Sequence, residues 1–377
     1  MASKSRRVVF IDYARSIAIV FAIAAHASTW LHVYNPFGNA SRLATPIFAL
    51  LFGVILELVY VPKIKTSGVS VVAKRLLIRS LQCYSVYLLT IWIGVLRGYI
   101  SLDEAGYASI FLGRSLFNNI LKFYAFALLL ATPLLLARIR FGIGLPVAIG
   151  LAFWLIDPYL DHIPWPSADS RISYASNLLL GKPGAGGAGL SFLPSMLLIG
   201  SGMIIGHAVR RDQLDENNRY FRRFLATTMI VCISFLLVVA IRTSGMTLGN
   251  TARAFFAGEY ERSNLMYIAC GGLAGCAILV LSLALSAILP NTGFAHSAAT
   301  LFGRRSLLAF GGGNLLLNCW PDRFRTDELA VINGISFFLA VVIVLAVTDK
   351  VLQGKESAKL DLAIGIDPAK EAEVESA

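Results

Sequence analysis

The chain is divided into long apolar segments separated by short polar ones, and this pattern limits what it can fold into. The apolar segments run for 16 to 27 residues, about the length that a helix needs to cross the hydrocarbon core of a bilayer. Charged residues make up only 15% of the 377 residues, against about 25% in soluble domains. The sequence therefore predicts a polytopic integral membrane protein.

We expect an all-α transmembrane bundle of about ten spans. Backbone groups in lipid must be hydrogen-bonded within the protein, which allows only helices or closed barrels. Apolar runs such as ILVLSLALSAIL lack the alternation of a barrel strand. The predicted spans are residues 8–31, 43–61, 76–97, 117–137, 142–157, 190–208, 224–241, 263–289, 302–320 and 328–348.

The formal net charge is +11, and the distribution of basic residues accounts for it without nucleic acid. With the N-terminus inside, the inner loops and tails hold 21 of the 33 basic residues, the outer segments hold 11, and the remaining one is Arg15. Cytoplasmic loops of membrane proteins carry an excess of Lys and Arg. We therefore predict that both termini are cytoplasmic, that the basic loops contact membrane lipids, and that nucleic acid is not a partner.

A single membrane domain is predicted over residues 1–350. Residues 351–377 are charged and lack apolar periodicity, so we expect a disordered cytoplasmic tail there. The five cysteines show no C-x-x-C spacing, and the five histidines show no spacing typical of metal ligands. No metal site is predicted, and the sequence leaves open whether the chain forms a homo-oligomer.

Two polar side chains stand out inside the first predicted span, IDYARSIAIVFAIAAHASTW. Arg15 and His26 are eleven residues apart, which on a helix is about 20° past three full turns and about 16 Å along the axis. They share a face, with Arg15 in the cytoplasmic half and His26 towards the outer half. Ionisable side chains within spans usually face a bundle interior or a water-filled cavity. This arrangement indicates a pathway or a reaction centre with two stations.

The two residues alone allow other interpretations. Arg15 can extend its guanidinium to lipid phosphates, and His26 can simply pack near the outer surface. A proton-coupled transporter of a small anionic solute or lipid is the main functional alternative, with Arg15 binding the anion and His26 relaying protons. The absence of a recognisable internal repeat disfavours that alternative.

The first span resembles the R-x10-H signature of the acyltransferase-3 superfamily, whose members are polytopic membrane enzymes that acylate glycans and other acceptors. Asp12, Arg15 and His26 match the signature, while Ser16 replaces the usual glycine. Three further segments are similar to later parts of the family: PIFALLFGVILELVY, AKRLLIRSLQCYSVYLLT and FGRRSLLAF. The pattern leans towards the branch that contains the osmoregulated periplasmic glucan succinyltransferases.

The resemblance implies an O-acyltransferase that moves an acyl group from cytoplasmic acyl-CoA to a hydroxyl of a glycan or similar acceptor at the outer face. Acetyl-CoA or succinyl-CoA is then the co-substrate, and the bacterial inner membrane is the expected location. Arg15, Arg75 and Arg79 are expected to bind the donor, because guanidinium groups pair with phosphates through two parallel hydrogen bonds. His26 is the expected catalytic residue, either as the base for the acceptor hydroxyl or as a covalent acyl carrier.

Three residues are predicted to support this site. Asp12 lies one helical turn before Arg15 and can pair with it. Glu57 interrupts an apolar span, and we expect it to pair with Arg75 or Lys74. Tyr84 can present its hydroxyl to the thioester or the acceptor, although tyrosines also fill helix interfaces.

Two asparagines share a face of the ninth predicted span. Asn314 and Asn318 are four residues apart, and we expect them to form hydrogen bonds between helices. Ser16, and Phe52 at a position where serine is common, depart from the family pattern. These departures leave open an inactive scaffold.

Overall fold

The structure is a computed structural model, and every regular element in the part of the chain that it describes is a helix. It describes residues 8–33, 35–114, 118–160, 162–163, 170–181, 189–212, 219–243, 247–260, 262, 264–289, 293–321 and 330–364. Within these ranges, no strand is present. The predicted all-α fold is confirmed.

Eight helical segments are long and apolar enough to cross a membrane. They include α1 (Val9–Leu31), α4 (Val69–Leu96), α6 (Asn119–Phe141), α9 (Phe192–Asp212), α10 (Arg219–Arg242), α12 (Leu265–Ile288) and α15 (Ala330–Ile364). The remaining one, Gly38–Ser67, is composite: a 3₁₀ turn (Gly38–Leu43), α2 (Ala44–Ile55), a π-helical turn (Leu56–Tyr60) and α3 (Val61–Ser67). The chain is thus an integral membrane protein.

The other helices are shorter. They are α5 (Leu102–Ser109), α7 (Leu145–Leu160), α8 (Arg171–Leu180), α11 (Leu248–Ala257), α13 (Phe294–Arg304) and α14 (Ser306–Cys319). Two of these, α7 and α14, are apolar and coincide with the fifth and ninth predicted spans. Each of the ten predicted spans therefore corresponds to a helix. The predicted spans omit α5, α8, α11 and most of α13, because their apolar stripes are too short to resemble a span.

The last helix continues past the boundary predicted at residue 350. In the structure α15 runs to Ile364, through a segment rich in Lys, Glu, Ala and Leu, which are good helix formers. Residues 365–377, the rest of the predicted tail, lie outside the described residues.

Contacts between distant segments show which parts of the chain meet at the two ends of α1. At the end that holds the start of α1, Tyr13 contacts His296 with 3.0 Å between the hydroxyl and Nδ1. At the opposite end, the rings of Trp30 and Tyr99 pack edge to face with centroids 4.9 Å apart. Residues that the sequence assigns to one side of the membrane therefore meet one another in the fold.

Glycines bring α2 and α9 into close contact. Gly202 and Gly206 lie one turn apart on α9, where a Cβ at either position would overlap the carbonyl oxygens of Leu50 and Val54 respectively. Gly53 on α2 faces Ile199 in the same way. Small residues at this spacing let two membrane helices pack backbone to backbone. This contact fixes the position of the π-helical turn that follows α2.

A buried ion pair joins three helices beside that turn. Glu57 is fully buried, and its two carboxylate oxygens accept hydrogen bonds from Nε and Nη2 of Arg138, each at 2.7 Å. His207 on α9 lies 3.1 Å from the same carboxylate. Paired guanidinium and carboxylate groups in this geometry form the strongest class of protein hydrogen bond.

The expectation that Glu57 pairs with Arg75 or Lys74 is therefore wrong. The π-helical turn at Leu56–Tyr60 contains Glu57 and places its side chain on the inner side of the bundle. Arg75 and Lys74 lie on an exposed face of α4. Sequence proximity suggested a local pair, whereas the carboxylate is satisfied by α6 and α9.

We predict that Glu57→Gln lowers the free energy of unfolding by about 3–5 kcal/mol, because it leaves the Arg138 guanidinium buried without a counter-charge. Unfolding of the purified protein in neutral detergent measures this loss. Asp103→Asn is the control, since it removes a surface ion pair with Arg171 in which the aspartate is 74% exposed, and should cost at most about 1 kcal/mol. Equal losses in the two variants would contradict a structural role for the buried pair.

Candidate active site

His26 is held across the bundle by a hydrogen bond to α14. Its Nδ1 lies 2.8 Å from Oδ1 of Asn314, and because a carbonyl oxygen can only accept, Nδ1 carries the hydrogen. In the neutral ring, Nε2 then carries the lone pair that can take up a proton. The edge of the ring also packs against Phe310, with centroids 5.7 Å apart, while part of the residue stays accessible.

The glycines before Asn314 let α14 reach this position. Gly311 faces Val86 of α4, and Gly313 faces Ile23 of α1, where a Cβ would crowd either side chain. The glycine run at residues 311–313 therefore lets α14 approach α4 and α1 closely. It sets Asn314 within hydrogen-bonding distance of His26.

Asn318 lies one turn beyond Asn314 on the same helix. Its Nδ2 donates to the backbone carbonyl of Asn314 at 2.9 Å, so it does not form the bond between helices that the sequence suggested. The residue is fully buried, and its Oδ1 has no hydrogen-bond partner. An acceptor atom therefore remains available in the protein interior, next to the residue that holds His26.

Arg15 lies on the same helix face as His26, at the other end of the predicted pathway. Its Nη1 is 3.7 Å from Oδ1 of Asp12, and its side chain is 27% exposed. Asp12 is buried and its backbone packs against Gly303. The Asp12 carboxylate is thus fixed, and it can orient the guanidinium while leaving part of it accessible.

Ser16, which departs from the expected glycine, has a structural role. Its hydroxyl oxygen accepts a hydrogen bond from the backbone N–H of Gly303 at 2.8 Å. This bond ties α1 to the end of α13, directly beside Asp12 and Arg15. The substitution therefore fits the local packing.

The three arginines predicted to bind the donor come from α1 and α4, and their charges influence one tyrosine electrostatically. The charges of Arg79, Arg15 and Arg75 all act on Tyr60, the last residue of the π-helical turn. Arg75 and Arg79 are exposed on α4, and Nη1 of Arg79 donates to Oε1 of Gln82 at 3.2 Å. Arg75 and Arg79 lie one turn apart on the exposed face of α4, and guanidinium groups spaced in this way suit a phosphate ligand. Tyr60 itself was not identified from the sequence.

A row of aromatic rings in contact with one another begins beside His26 and continues along α2. Phe310 packs against Phe48, Phe48 against Tyr124, and Tyr124 against Phe52, with centroids 5.4 to 6.2 Å apart. The charge of Arg15 acts on Tyr124. The row begins beside His26, whose ring packs against Phe310, and extends along α2.

Tyr84 is placed away from these contacts. Its hydroxyl donates to the backbone carbonyl of Ser109 at 2.8 Å, and its ring packs against Tyr87 and Phe111. This side chain anchors α4 to the end of α5. The geometry favours the packing role that the sequence left open for Tyr84.

The sequence analysis did not identify Arg262, and it predicted a hydrogen bond between helices for Asn314 without naming its partner. The charge of Arg262, just before α12, acts on the ring of His26. Asn314 was noticed only as an asparagine inside a span, because its pairing with His26 joins positions 288 residues apart. Among the described residues, no group of three or more His, Cys, Asp or Glu side chains could hold a metal ion.

The chain is similar to one known family over its first quarter. Residues 7–104 match the family model described as OpgC protein, a family of glucan succinyltransferases. No curated protein matches the chain. The matched region contains α1 with Arg15 and His26, the π-helical turn with Tyr60, and α4 with Arg75 and Arg79. The similarity is confined to this part of the chain.

The assignment to the acyltransferase-3 superfamily, which the sequence suggested, is therefore wrong. The model that matches is that of the OpgC protein, a different family. An arginine and a histidine at a fixed spacing, with a nearby aspartate, are too few residues to separate related membrane families. The glucan branch named beside that resemblance agrees with the match.

We predict that neutral His26 carries its hydrogen on Nδ1, whereas free histidine favours Nε2. Nitrogen-15 NMR of histidine-labelled protein in detergent distinguishes the two tautomers, and His26→Gln identifies the signal. Asn314→Leu removes the acceptor and should return His26 to the Nε2 form. An Nε2 hydrogen in the unmodified protein would contradict the bond described here.

Proposed function

We propose that this protein is a membrane O-acyltransferase that moves an acyl group from cytoplasmic acyl-CoA to a hydroxyl of a glycan at the outer face. The observation that carries the proposal is the hydrogen bond from His26 to Asn314, which presents Nε2 as a proton acceptor on the same helix face as Arg15. The similarity to the OpgC protein family supports acyl transfer.

The arginine cluster around Tyr60 is the proposed binding site of the CoA phosphates. Arg15, Arg75 and Arg79 remain charged in surroundings of low dielectric and offer paired donors. Asp12 holds Arg15 in place. The extended pantetheine arm is proposed to run past the aromatic rings between Tyr124 and Phe310 and to bring the thioester to His26.

In the proposed reaction, Nε2 of His26 takes the proton of the acceptor hydroxyl as its oxygen attacks the thioester carbonyl. The carbon–sulfur bond then breaks, the new ester remains on the acceptor, and the sulfur leaves as CoA after taking the proton from the imidazolium. Positioned general bases contribute about 10²–10⁴-fold in rate. Asn314 keeps the ring in the required tautomer and orientation throughout.

We propose succinyl-CoA as the donor, in preference to acetyl-CoA. The family similarity favours a succinyl group, and the free carboxylate of that group needs a cation close to the reacting carbonyl. Arg262 supplies a positive charge that reaches the His26 ring.

The acceptor is proposed to approach from the side of Asn318. Beyond Asn314, the buried groups that lack hydrogen-bond partners include Oδ1 of Asn318 and Nε1 of Trp320. Trp320 packs against Phe337 with ring centroids 5.4 Å apart, and the buried Nδ2 of Asn333, one turn from Phe337, also has no partner. Neutral donors and acceptors of this kind suit the hydroxyl groups of a sugar.

The proposed location is the bacterial inner membrane, with both termini in the cytoplasm. The excess of basic residues on the loops at the Arg15 end supports this orientation. Acyl-CoA is made in the cytoplasm, so the orientation places the arginine cluster on the side of the donor.

We predict that calorimetry of the protein in detergent detects CoA binding, and that Arg15→Gln weakens the affinity about 10- to 100-fold. This range corresponds to the loss of charge-assisted hydrogen bonds worth about 1.5–3 kcal/mol. Arg171→Gln, at the opposite end of the bundle, is the matched control and should leave the affinity unchanged. His26→Gln should bind CoA normally but lose the slow hydrolysis of succinyl-CoA.

The same assay distinguishes succinyl-CoA from acetyl-CoA as the donor, and it tests the acyltransferase against the transporter. Arg262→Gln should raise the KM for succinyl-CoA while leaving that for acetyl-CoA unchanged. A folded wild-type protein that binds no CoA would overturn the acyltransferase proposal. Uptake of an anion by proteoliposomes, driven by a pH gradient and lost in His26→Gln, would then favour the transporter.

A further inference from the structure

Lys122 is a buried lysine that the proposed reaction does not use. It lies in the first turn of α6, near the end of the bundle opposite to Arg138, and only 7% of it is exposed. Its Nζ donates to the carbonyl oxygen of Phe111 at 3.3 Å and lies 5.9 Å from the ring centroids of Phe111 and Tyr174. It forms no ion pair with any described residue. One carbonyl and two aromatic faces offset only a small part of the free-energy cost of removing an ammonium group from water.

A second polar side chain without a partner lies beside it. Asn118 is the residue that precedes α6, and it is completely buried. Neither its Oδ1 nor its Nδ2 has a hydrogen-bond partner. Asn118 and Lys122 are four residues apart, and the Lys122 backbone N–H bonds to the Asn118 carbonyl at 2.9 Å. The two side chains therefore share one face of the first helical turn.

The surrounding backbone adds to the positive potential. The first turn of α6 has no side-chain cap, so its N–H groups and the positive end of the helix dipole add to the lysine charge. Phe111 adopts a φ of 67°, which a bulky residue rarely does, and in this conformation its carbonyl meets the lysine. The local fold thus holds the ammonium group in place, and none of the described residues gives it a negative partner.

We propose that this position is an anion site, which binds a phosphate or carboxylate group between Nζ of Lys122 and Nδ2 of Asn118. Such a group would pair with the buried ammonium and satisfy the amide N–H. The site uses none of the residues assigned to acyl transfer, so it stands whether or not that assignment is correct.

The oxyanion can come from the membrane or from solution. Apolar side chains are exposed at this end of α5 and α8, with Leu102, Ile110 and Ile172 each at least 60% exposed, so lipid can pack here and an anionic phospholipid headgroup is one candidate ligand. A soluble phosphate or carboxylate offers the same chemistry. The experiment therefore tests inorganic phosphate and an anionic phospholipid separately.

The full chain, purified in neutral detergent, is unfolded by heat in sodium phosphate and in sodium chloride of equal ionic strength. A second pair of samples contains phosphatidylglycerol or phosphatidylcholine. We expect phosphate, phosphatidylglycerol or both to raise the unfolding midpoint, and we expect Lys122→Met and Asn118→Leu to remove that rise. Lys65→Met, which changes an exposed lysine on α3, should retain it.

Chemical modification gives a readout that does not depend on the stability of the variants. Reductive methylation of Lys122, followed by mass spectrometry, should slow about tenfold when the anion is present at ten times its Kd, because only the unoccupied protein reacts. The rate at Lys65 should not change. The proposal is overturned if neither anion protects Lys122, or if each anion shifts the native protein and Lys122→Met equally.

Discussion

Inside a bilayer, a polar side chain must find its hydrogen-bonding partner within the protein, because the lipid offers none. The described helices satisfy this constraint through a small number of long-range contacts. Glu57 is neutralised by Arg138, and His26 is bound by Asn314. Each contact joins helices that are far apart in the chain, so the same bonds that satisfy polar groups also set the arrangement of the bundle. The tight packing of α2 on α9 lies beside Glu57, which is fully buried. The carboxylate must therefore find its hydrogen-bond donors within the protein.

The first helix places a cation and an imidazole about 16 Å apart on one face, and the rest of the fold surrounds each with a different environment. Around Arg15, two further arginines from α4 act on the same tyrosine. Around His26, the neighbours are an amide, aromatic rings and the more distant charge of Arg262. The first environment suits an anionic ligand that is partly exposed to water. The second suits a reaction in which a proton moves and a neutral hydroxyl is recognised. The proposed acyl transfer follows from this division.

The membrane fold was predictable from the sequence because span length and composition are local properties. Each predicted span corresponds to a helix, and the only spans too short to cross by length alone are α7 and α14. Partners could not be predicted in the same way. Glu57 was expected to bind a neighbour in sequence, yet it binds Arg138, which is 81 residues away. Asn314 is 288 residues from His26. The small amphipathic helices α5, α8 and α11 carry too little periodicity to be distinguished from loops. The family assignment also needed more than the arginine–histidine spacing.

The central claim is that the donor enters at the arginine end of the bundle and reacts at His26. Membrane vesicles from cells that express the protein test it directly, because succinyl-CoA does not cross a bilayer. Inverted vesicles expose the cytoplasmic face, and right-side-out vesicles expose the outer face. Release of CoA from added succinyl-CoA is measured in both, with the rate in His26→Gln vesicles subtracted as background. The account predicts release by inverted vesicles alone. Equal release by both kinds of vesicle, or release by right-side-out vesicles alone, would contradict it.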